Sequence, residues 1–424
     1  MDHPVFSVSA FKRAARYSDS LRFKGTFIQS PTEISQAADR ALIEFASQRA
    51  VITVYVRGNA CVDYAEYHDH LIYRSITRFI ARRFRIRPLS RDRIVKGVIE
   101  SLSDATPMYI IRRDIRKFYE SIPTDSLKDR LVYDTTIPSA AREHLKCFFA
   151  QHCPGSIGIP RGIGLSAALS ELYMESFDRA VKHLPGVYRY FRFADDILIF
   201  SYKPTELLEH ALTRIVKEHG LTFNPIKSKT ISIDVKFKKN MPPLPGQLEY
   251  LGYDFSFERT YGYANRMPRR IDVSIAAAKL NRLKSRLILS IKSFCRDGNF
   301  SLLHDRLRIL TGNYRIPREA AEPNTPRRYV NAGIYYNYRY CGTYSNGMVA
   351  TPGSGQRLKQ LDGFYFSLVR GNGAPLAKAL RAKATAGQLG RLRALSFHRG
   401  FTQRISVQLK SDRLREIKGV WRNV

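Results

Sequence analysis

Two adjacent acids, Asp195 and Asp196, stand inside the run YRYFRFADDILIFS at residues 188–201. Their flanks are aromatic and β-branched, which is strand composition, with Arg189 and Arg192 as interspersed polar positions. Ala194 to Asp196 interrupt the run and Ile197 to Phe200 resume it, so the pattern predicts a hairpin with two carboxylates at its tip. Burying strands on both sides of a carboxylate pair is costly unless a cation neutralises it. A hard divalent ion suits the pair, because Mg²⁺ needs only one or two carboxylates plus substrate phosphates. An ordinary Asp-Asp turn is the plainer alternative, and a second acid in matching context shifts the balance. That acid is Asp114, at the end of the apolar part of MYIIRRDIRKFYESI, where a predicted strand delivers a carboxylate and then turns into a helix. Asp114 and Asp195 are 81 residues apart, and two strands of one sheet would set them side by side.

Such acids need a scaffold, and 424 residues are enough for two or three subdomains. Seventy basic against 37 acidic residues leave a formal charge of +33, the footprint of a polyanion binder. No apolar run approaches the length of a membrane span and no signal or lipidation motif is visible, so no membrane role is expected. Five cysteines without a CxxC pair fit a reducing cytoplasm. His144, Cys147, His152 and Cys153 crowd together, but their spacing matches no common zinc site and they fall in an apolar helical stretch.

In chain order, a helix is predicted from about Pro31 to Arg49, capped by Ser30 or Thr32, and VITVYV at 51–56 reads as a buried strand. An amphipathic helix follows from Tyr64 to Arg83. It runs into a cluster of Arg82, Arg83, Arg85, Arg87, Arg91 and Arg93. A charge run is usually a solvated face, but the planar fork of Arg suits phosphate, so template backbone or a nucleoside triphosphate is the favoured ligand. Residues 93–103 read as a helix. Gly155, Gly158, Gly162 and Gly164 lead into a helix reaching about His183, without the Gly-Lys-Ser/Thr of a Walker loop. Beyond the hairpin come a helix at 205–219 ended by Gly220, a strand-like run LEYLGYDFSF at 248–257, and a basic helical region from about Ile271. Residues 314–350 are rich in Tyr, Pro, Gly and Asn.

The order of these segments resembles the reverse transcriptase family over about residues 85–257. DIRKFYESI looks like the first palm motif, GIPRGIGLSAAL the second, FADD the third, LTFNPIKSKT the fourth, and EYLGYDF the fifth, the primer grip. Two departures stand out: Arg161 replaces the Gln that usually follows the Pro of the second motif, and Ser166-Ala167 replaces Ser-Pro. Both concern template handling more than metal chemistry. The resemblance implies an α+β right hand, with fingers, a palm built on an antiparallel sheet, a helical thumb and a basic helical C-terminal extension. The expected divisions are 1–105 for an N-terminal extension and fingers, 106–258 for the palm with interleaved finger segments, and 259–424 for thumb and extension.

The resemblance also implies roles. Asp114, Asp195 and Asp196 would be catalytic, and Asp114, Ile115, Asp195 and Asp196 would hold two Mg²⁺ ions, with Mn²⁺ as a substitute, about 3.5–4 Å apart. Lys227 would give a proton to pyrophosphate, its plainer reading being a solvated turn lysine. Arg85, Arg87, Tyr119, Arg161 and Gly162 would bind the nucleotide, with Tyr119 excluding a 2′-hydroxyl in favour of dNTPs. Tyr250, Leu251 and Gly252 would grip the primer, and Arg82, Arg83, Arg91 and Arg93 the nucleic-acid backbone. Protease, RNase H, integrase and endonuclease signatures are absent, as is the Val-Thr-Gly tripeptide of retron enzymes. What remains is similar to bacterial antiphage and abortive-infection reverse transcriptases. That similarity implies cDNA synthesis from a structured non-coding RNA or other RNA template, with a DNA product, in the cytoplasm. It leaves open a homo-oligomer or a partner defence protein. Template-independent or protein-primed synthesis, with a primer among Tyr335, Tyr336, Tyr338, Tyr340 and Tyr344, is the alternative on the same palm, beside a retron-like enzyme. RNA-dependent RNA synthesis and a non-catalytic RNA-binding module are further rivals.

Overall fold

Ile197, Leu198, Ile199 and Phe200 are each at most 1% exposed, and they form the centre of the sheet that carries the acids. In the computed structural model this is strand β5 (Asp196–Ser201) of a four-stranded antiparallel sheet. Its order is β4 (Val187–Phe193), β5, β3 (Met108–Asp114) and β6 (Lys229–Ile233). A continuous apolar run rather than an alternating one is what a central strand covered on both faces requires. Each such side chain contributes roughly 1.5–3 kcal/mol by leaving water, enough to anchor a tip of unfavourably placed charge. The structure describes residues 3–16, 19–23, 27–28, 30–56, 58–203, 205–262, 268–317, 329–345, 348–352, 355–371 and 373–421.

The chain divides into two compact units, residues 1–94 with 107–234, and residues 95–106 with 235–424. In the first, the helix Gly164–Lys182 buries Leu165, Leu169, Leu172, Phe177 and Val181, which lays one face on the core. The helix Pro31–Ile43 starts at a capping box between Ser30 and Glu33; it ends at Ile43, short of the expected Arg49. Tyr67–Arg83 and Thr205–Glu218 are helical as the periodicity predicts, and Gly220 turns the chain out of the latter at φ +61°. The segment VITVYV forms strand β1 (Val51–Val56), but it is exposed along its whole length and among the described residues pairs only with β2 (Asn59–Tyr64). Composition identified the strand correctly and its burial wrongly, because among the described residues no element covers β1.

The second unit is less helical than expected. β7 (Val235–Lys236) pairs with β10 (Thr260–Tyr261). The run 248–257 is not one strand but the hairpin of β8 (Pro245–Tyr250) and β9 (Tyr253–Glu258). Ile271–Ile275, expected at the start of a helical region, is strand β11, and the helix opens only at Ala277. With β14 (Gly342–Ser345) and β15 (Met348–Pro352) these strands make a five-stranded sheet in the order β15-β14-β11-β9-β8. A second sheet joins β12 (Asn313–Pro317), β13 (Tyr329–Gly333) and β16 (Ser406–Gln408). Residues 95–106 are tied in by buried Arg269, whose guanidinium donates to the carbonyls of Leu102, Asp104 and Thr260. Of the Tyr-rich segment, residues 318–328 and 346–347 lie outside the described residues. Tyr335 packs on Phe401 beneath the Arg404 guanidinium, and the Tyr344 hydroxyl donates to the Tyr340 carbonyl. Among the described residues no helix is long and apolar enough to cross a membrane.

Candidate active site

Asp114 ends β3 and lies directly opposite Asp196, the first residue of β5. Asp195 occupies the turn between β4 and β5, preceded by Ala194 at φ +55°. Its carbonyl accepts from the Ile115 amide at 3.0 Å, so the chain just past Asp114 is stitched to the hairpin tip. This is the juxtaposition expected of the three acids, although Asp114 and Asp195 are separated by 81 residues.

The segment Asn224–Lys227 wraps the same point. The Asn224 amide donates to the Asp114 carbonyl at 2.7 Å, and its Nδ2 to Asp114 Oδ2 at 3.2 Å. The Asn224 Oδ1 meanwhile caps the short turn Pro225–Lys227. That turn delivers Lys227 Nζ to Asp114 Oδ1 at 3.0 Å. Lys227 is thus a partner of the buried Asp114 carboxylate rather than only a solvated turn residue.

The two acids at the tip are not equivalent. Asp196 is gripped by Arg112, whose Nε and Nη2 each donate to one carboxylate oxygen at 3.0 Å. Burial raises the pKa of Asp196, and the Arg112 hydrogen bond and charge pull it back. Burial also raises that of Asp195 and outweighs the lowering by a backbone hydrogen bond; the Asp114 carboxylate raises it further, and Lys227 and Arg161 lower it. Among the described residues no arginine clamps Asp195 in this way. Among the described residues no three acidic, His or Cys side chains converge as a ready-made metal cage. Asp114 and Asp195 nevertheless fit a divalent ion: they are half-buried or buried, mutually repelling, and approached by cationic Lys227.

Arg192, read in the sequence as an interspersed polar residue, holds the tip from beneath. Its guanidinium bonds both carboxylate oxygens of Asp178 at 2.8 Å and both of Glu171 at 2.8 and 3.0 Å, and Nη1 reaches the Ala194 carbonyl at 3.2 Å. Burial opposes its charge, but the Asp178 and Glu171 hydrogen bonds and charges prevail and keep it protonated. Only the Arg-Tyr alternation facing two acids two helical turns apart hinted at it; Tyr190 also donates to Asp178, at 2.6 Å.

Tyr119 is half-buried beside this group, with Arg161 stacked 5.5 Å over its ring. Burial raises the Tyr119 pKa, a hydrogen bond with Ser170 opposes it, and the Glu171 and Asp195 charges add smaller upward pushes. Arg161 is paired to Glu120, and its carbonyl accepts from the Val62 amide at 2.7 Å. Gly162 sits at φ +101°, where a Cβ would lie 2.4 Å from the Val62 carbonyl oxygen. Its visible role is therefore close approach of the β1–β2 ribbon.

The arginine cluster disperses. Arg83 bonds Thr136, Arg82 is exposed, and Arg91 and Arg93 open the helix Arg91–Leu102. Arg85 and Arg87 line a separate cavity with Glu171, Asp178 and Arg192, not the Asp114–Asp195 tip. Tyr250, Leu251 and Gly252 belong to the second unit. Leu251 at φ +48° and Gly252 at φ +81° make a two-residue hairpin turn closed by the buried pair Tyr250 and Tyr253.

An antiparallel sheet with helices packed on it and acids at the end of one strand and the tip of the adjoining hairpin defines a right-hand polymerase palm. Residues 71–255 match the family described as reverse transcriptase (RNA-dependent DNA polymerase), so this segment is similar to that family's domain. No curated protein matches the chain. Among solved structures it is similar to an apo telomerase from Candida tropicalis truncated from its C-terminal domain, with 10% identity and a TM-score of 0.35. That match covers 49% of this chain and 53% of the telomerase, so the chain spans about half of that protein's length.

Proposed function

We propose that the chain is an RNA-directed DNA polymerase that extends a primer with dNTPs on an RNA template. The observation that carries the reading is the opposition of Asp114 to the Asp195–Asp196 tip across β3 and β5. Asp114 and Asp195, with the Ile115 backbone beside them, would hold the divalent ions, whose chemistry when bound would be to lower the pKa of the primer 3′-hydroxyl and to offset charge on the pyrophosphate. Asp196, already neutralised by Arg112, acts mainly by fixing the end of β5. Tyr119 forms the wall against a ribose 2′-hydroxyl, Arg161 contacts template or triphosphate, and Lys227 protonates the leaving group. The high positive charge supplies sequence-independent affinity for the nucleic acid.

The biological setting we propose is bacterial antiphage defence in the cytoplasm, with a dedicated structured non-coding RNA as template. What supports it is the resemblance of the motif set to defence-associated reverse transcriptases.

The test is primer extension by the purified chain on an RNA template with Mg²⁺. Asp195→Asn is expected to lose at least about a thousandfold in rate, since several kcal/mol of charge stabilisation disappear, while RNA binding persists. Full synthesis by that variant, or a preference of the parent for ribonucleotides, would sink the reading. Sequencing of co-purified RNA and DNA identifies the template. Unchanged plaque counts in cells carrying the active chain and the Asp195→Asn variant would remove the defence assignment alone.

A further inference from the structure

The loop after the helix Tyr67–Arg83 brings Arg85 and Arg87 to a cavity of about 420 Å³ whose opposite wall is the second half of the helix Gly164–Lys182 together with β4. The acids in that wall are already engaged. Glu171 and Asp178 grip Arg192, and Glu175 pairs with Arg130 and Arg179. Lys182 lies 5.6 Å over the Tyr190 ring. The Arg85 and Arg87 side chains are exposed and make no ion pair or hydrogen bond to another described residue; only the Arg85 backbone amide is engaged, donating to the Arg82 carbonyl at 3.2 Å. Five cationic side chains thus line the cavity against three carboxylates, leaving an excess of two positive charges.

The backbone adds an independent observation. Arg85 stands at φ +50°, and the Ile86 amide donates to the Ala81 carbonyl at 2.9 Å, closing the helix by a motif that normally takes glycine at this position. A residue with a Cβ adopts this conformation at a cost that glycine avoids. An arginine held there, two positions from a second unpaired arginine, is what a site needing guanidinium groups would require.

We propose that this cavity binds the phosphodiester backbone of a nucleic-acid strand, as an anchoring site distinct from the carboxylate tip. A strand fits better than a free triphosphate: the two arginines are separate exposed forks, and no glycine is among the lining residues to form a backbone cradle. The polymerase reading enters only through the identity of the strand, because the binding itself needs no catalysis.

The test uses the full chain carrying Arg85→Gly with Arg87→Ala. The glycine suits the turn, so loss of binding is not confused with loss of folding; a thermal melt checks this. Anisotropy of a labelled single-stranded RNA of mixed sequence is read over a KCl series, in the Asp195→Asn background so that synthesis plays no part. Two lost phosphate contacts at about 0.7 each should lower the slope of log K against log [salt] by about 1.4. The same drop with single-stranded DNA alone would assign the site to the product strand and still support it. An unchanged slope with both strands would overturn the proposal. So would an unchanged slope with a raised KM for dNTPs in the catalytically active double variant, which would make these arginines triphosphate ligands.

Discussion

Asp114 and Asp196 face each other across the β3–β5 ladder, yet their carboxylates are held by different cations, Lys227 at 3.0 Å and Arg112 at 3.0 Å. The Arg112 pair is about one-fifth exposed on each side, whereas Lys227 is 55% exposed. Asp114 therefore has a partner that solvent already competes for, and Asp196 has one that is largely fixed.

The first prediction follows from that difference. Asp195→Asn should abolish DNA synthesis, while Asp196→Asn should reduce it far less and act mainly through stability. Arg112→Met alone should cost roughly 1–3 kcal/mol in urea unfolding, because it strands the Asp196 carboxylate. Combining it with Asp196→Asn should recover most of that loss. Additive losses in the double variant would contradict the pairing.

Arg192 is the second. Its side chain is 5% exposed between Glu171 and Asp178, so Arg192→Met leaves two carboxylates uncompensated and should cost about 3–5 kcal/mol. Arg192→Met with Asp178→Asn and Glu171→Gln should refold, yet synthesise DNA more slowly at unchanged KM, because the Ala194 carbonyl loses its donor. Wild-type kcat in that triple variant would show that the clamp does not position the tip.

Two glycines of one segment should behave oppositely. Gly162→Ala places a Cβ 2.4 Å from the Val62 carbonyl at a positive φ, and should destabilise the first unit by about 1–3 kcal/mol. Gly164→Ala meets nothing within 4 Å and begins a helix, so it should leave the melting temperature unchanged or raised. Equal shifts for the two would refute the close approach of the ribbon.

The fourth concerns pH. Folding raises the Asp195 pKa, first through burial. Below the ordinary carboxylate range the side chain is protonated in both folded and unfolded chains, and no penalty arises. As pH rises through the unfolded and then the folded pKa, the folded state pays to ionise it, and the full penalty persists at neutral pH. Asp195→Asn should therefore be more stable than the parent at pH 7, with the gain shrinking as pH falls toward 3.8 and below. Added Mg²⁺ should raise the melting temperature of the parent and not of that variant. A gain that grew on acidification would reverse the sign and exclude this account.

Local sequence determined a good deal. The strand ending in Asp114, the interruption at Ala194–Asp196, the Ser30 cap and the helix Tyr67–Arg83 are all carried by composition and periodicity within a dozen residues. The turn residues Asn224 and Lys227 were recognisable by resemblance, though not their meeting with Asp114. What failed also failed for a physical reason. VITVYV has the composition of a buried strand, but burial depends on whether another element covers it, and among the described residues none does. IDVSI leads into AAAKLNRLK, whose helical period extends backward in any window that spans both, so pairing with β9 was invisible.

Only the tertiary structure decided which cation meets which acid. Asp114 and Asp196 meet across 82 residues of chain, Arg112 reaches Asp196 across 84, and Lys227 reaches Asp114 across 113. Sequence supplies the charges and their local geometry. Which of them neutralise one another is set by strand register and helix placement, and those depend on the packing of residues far apart in the chain.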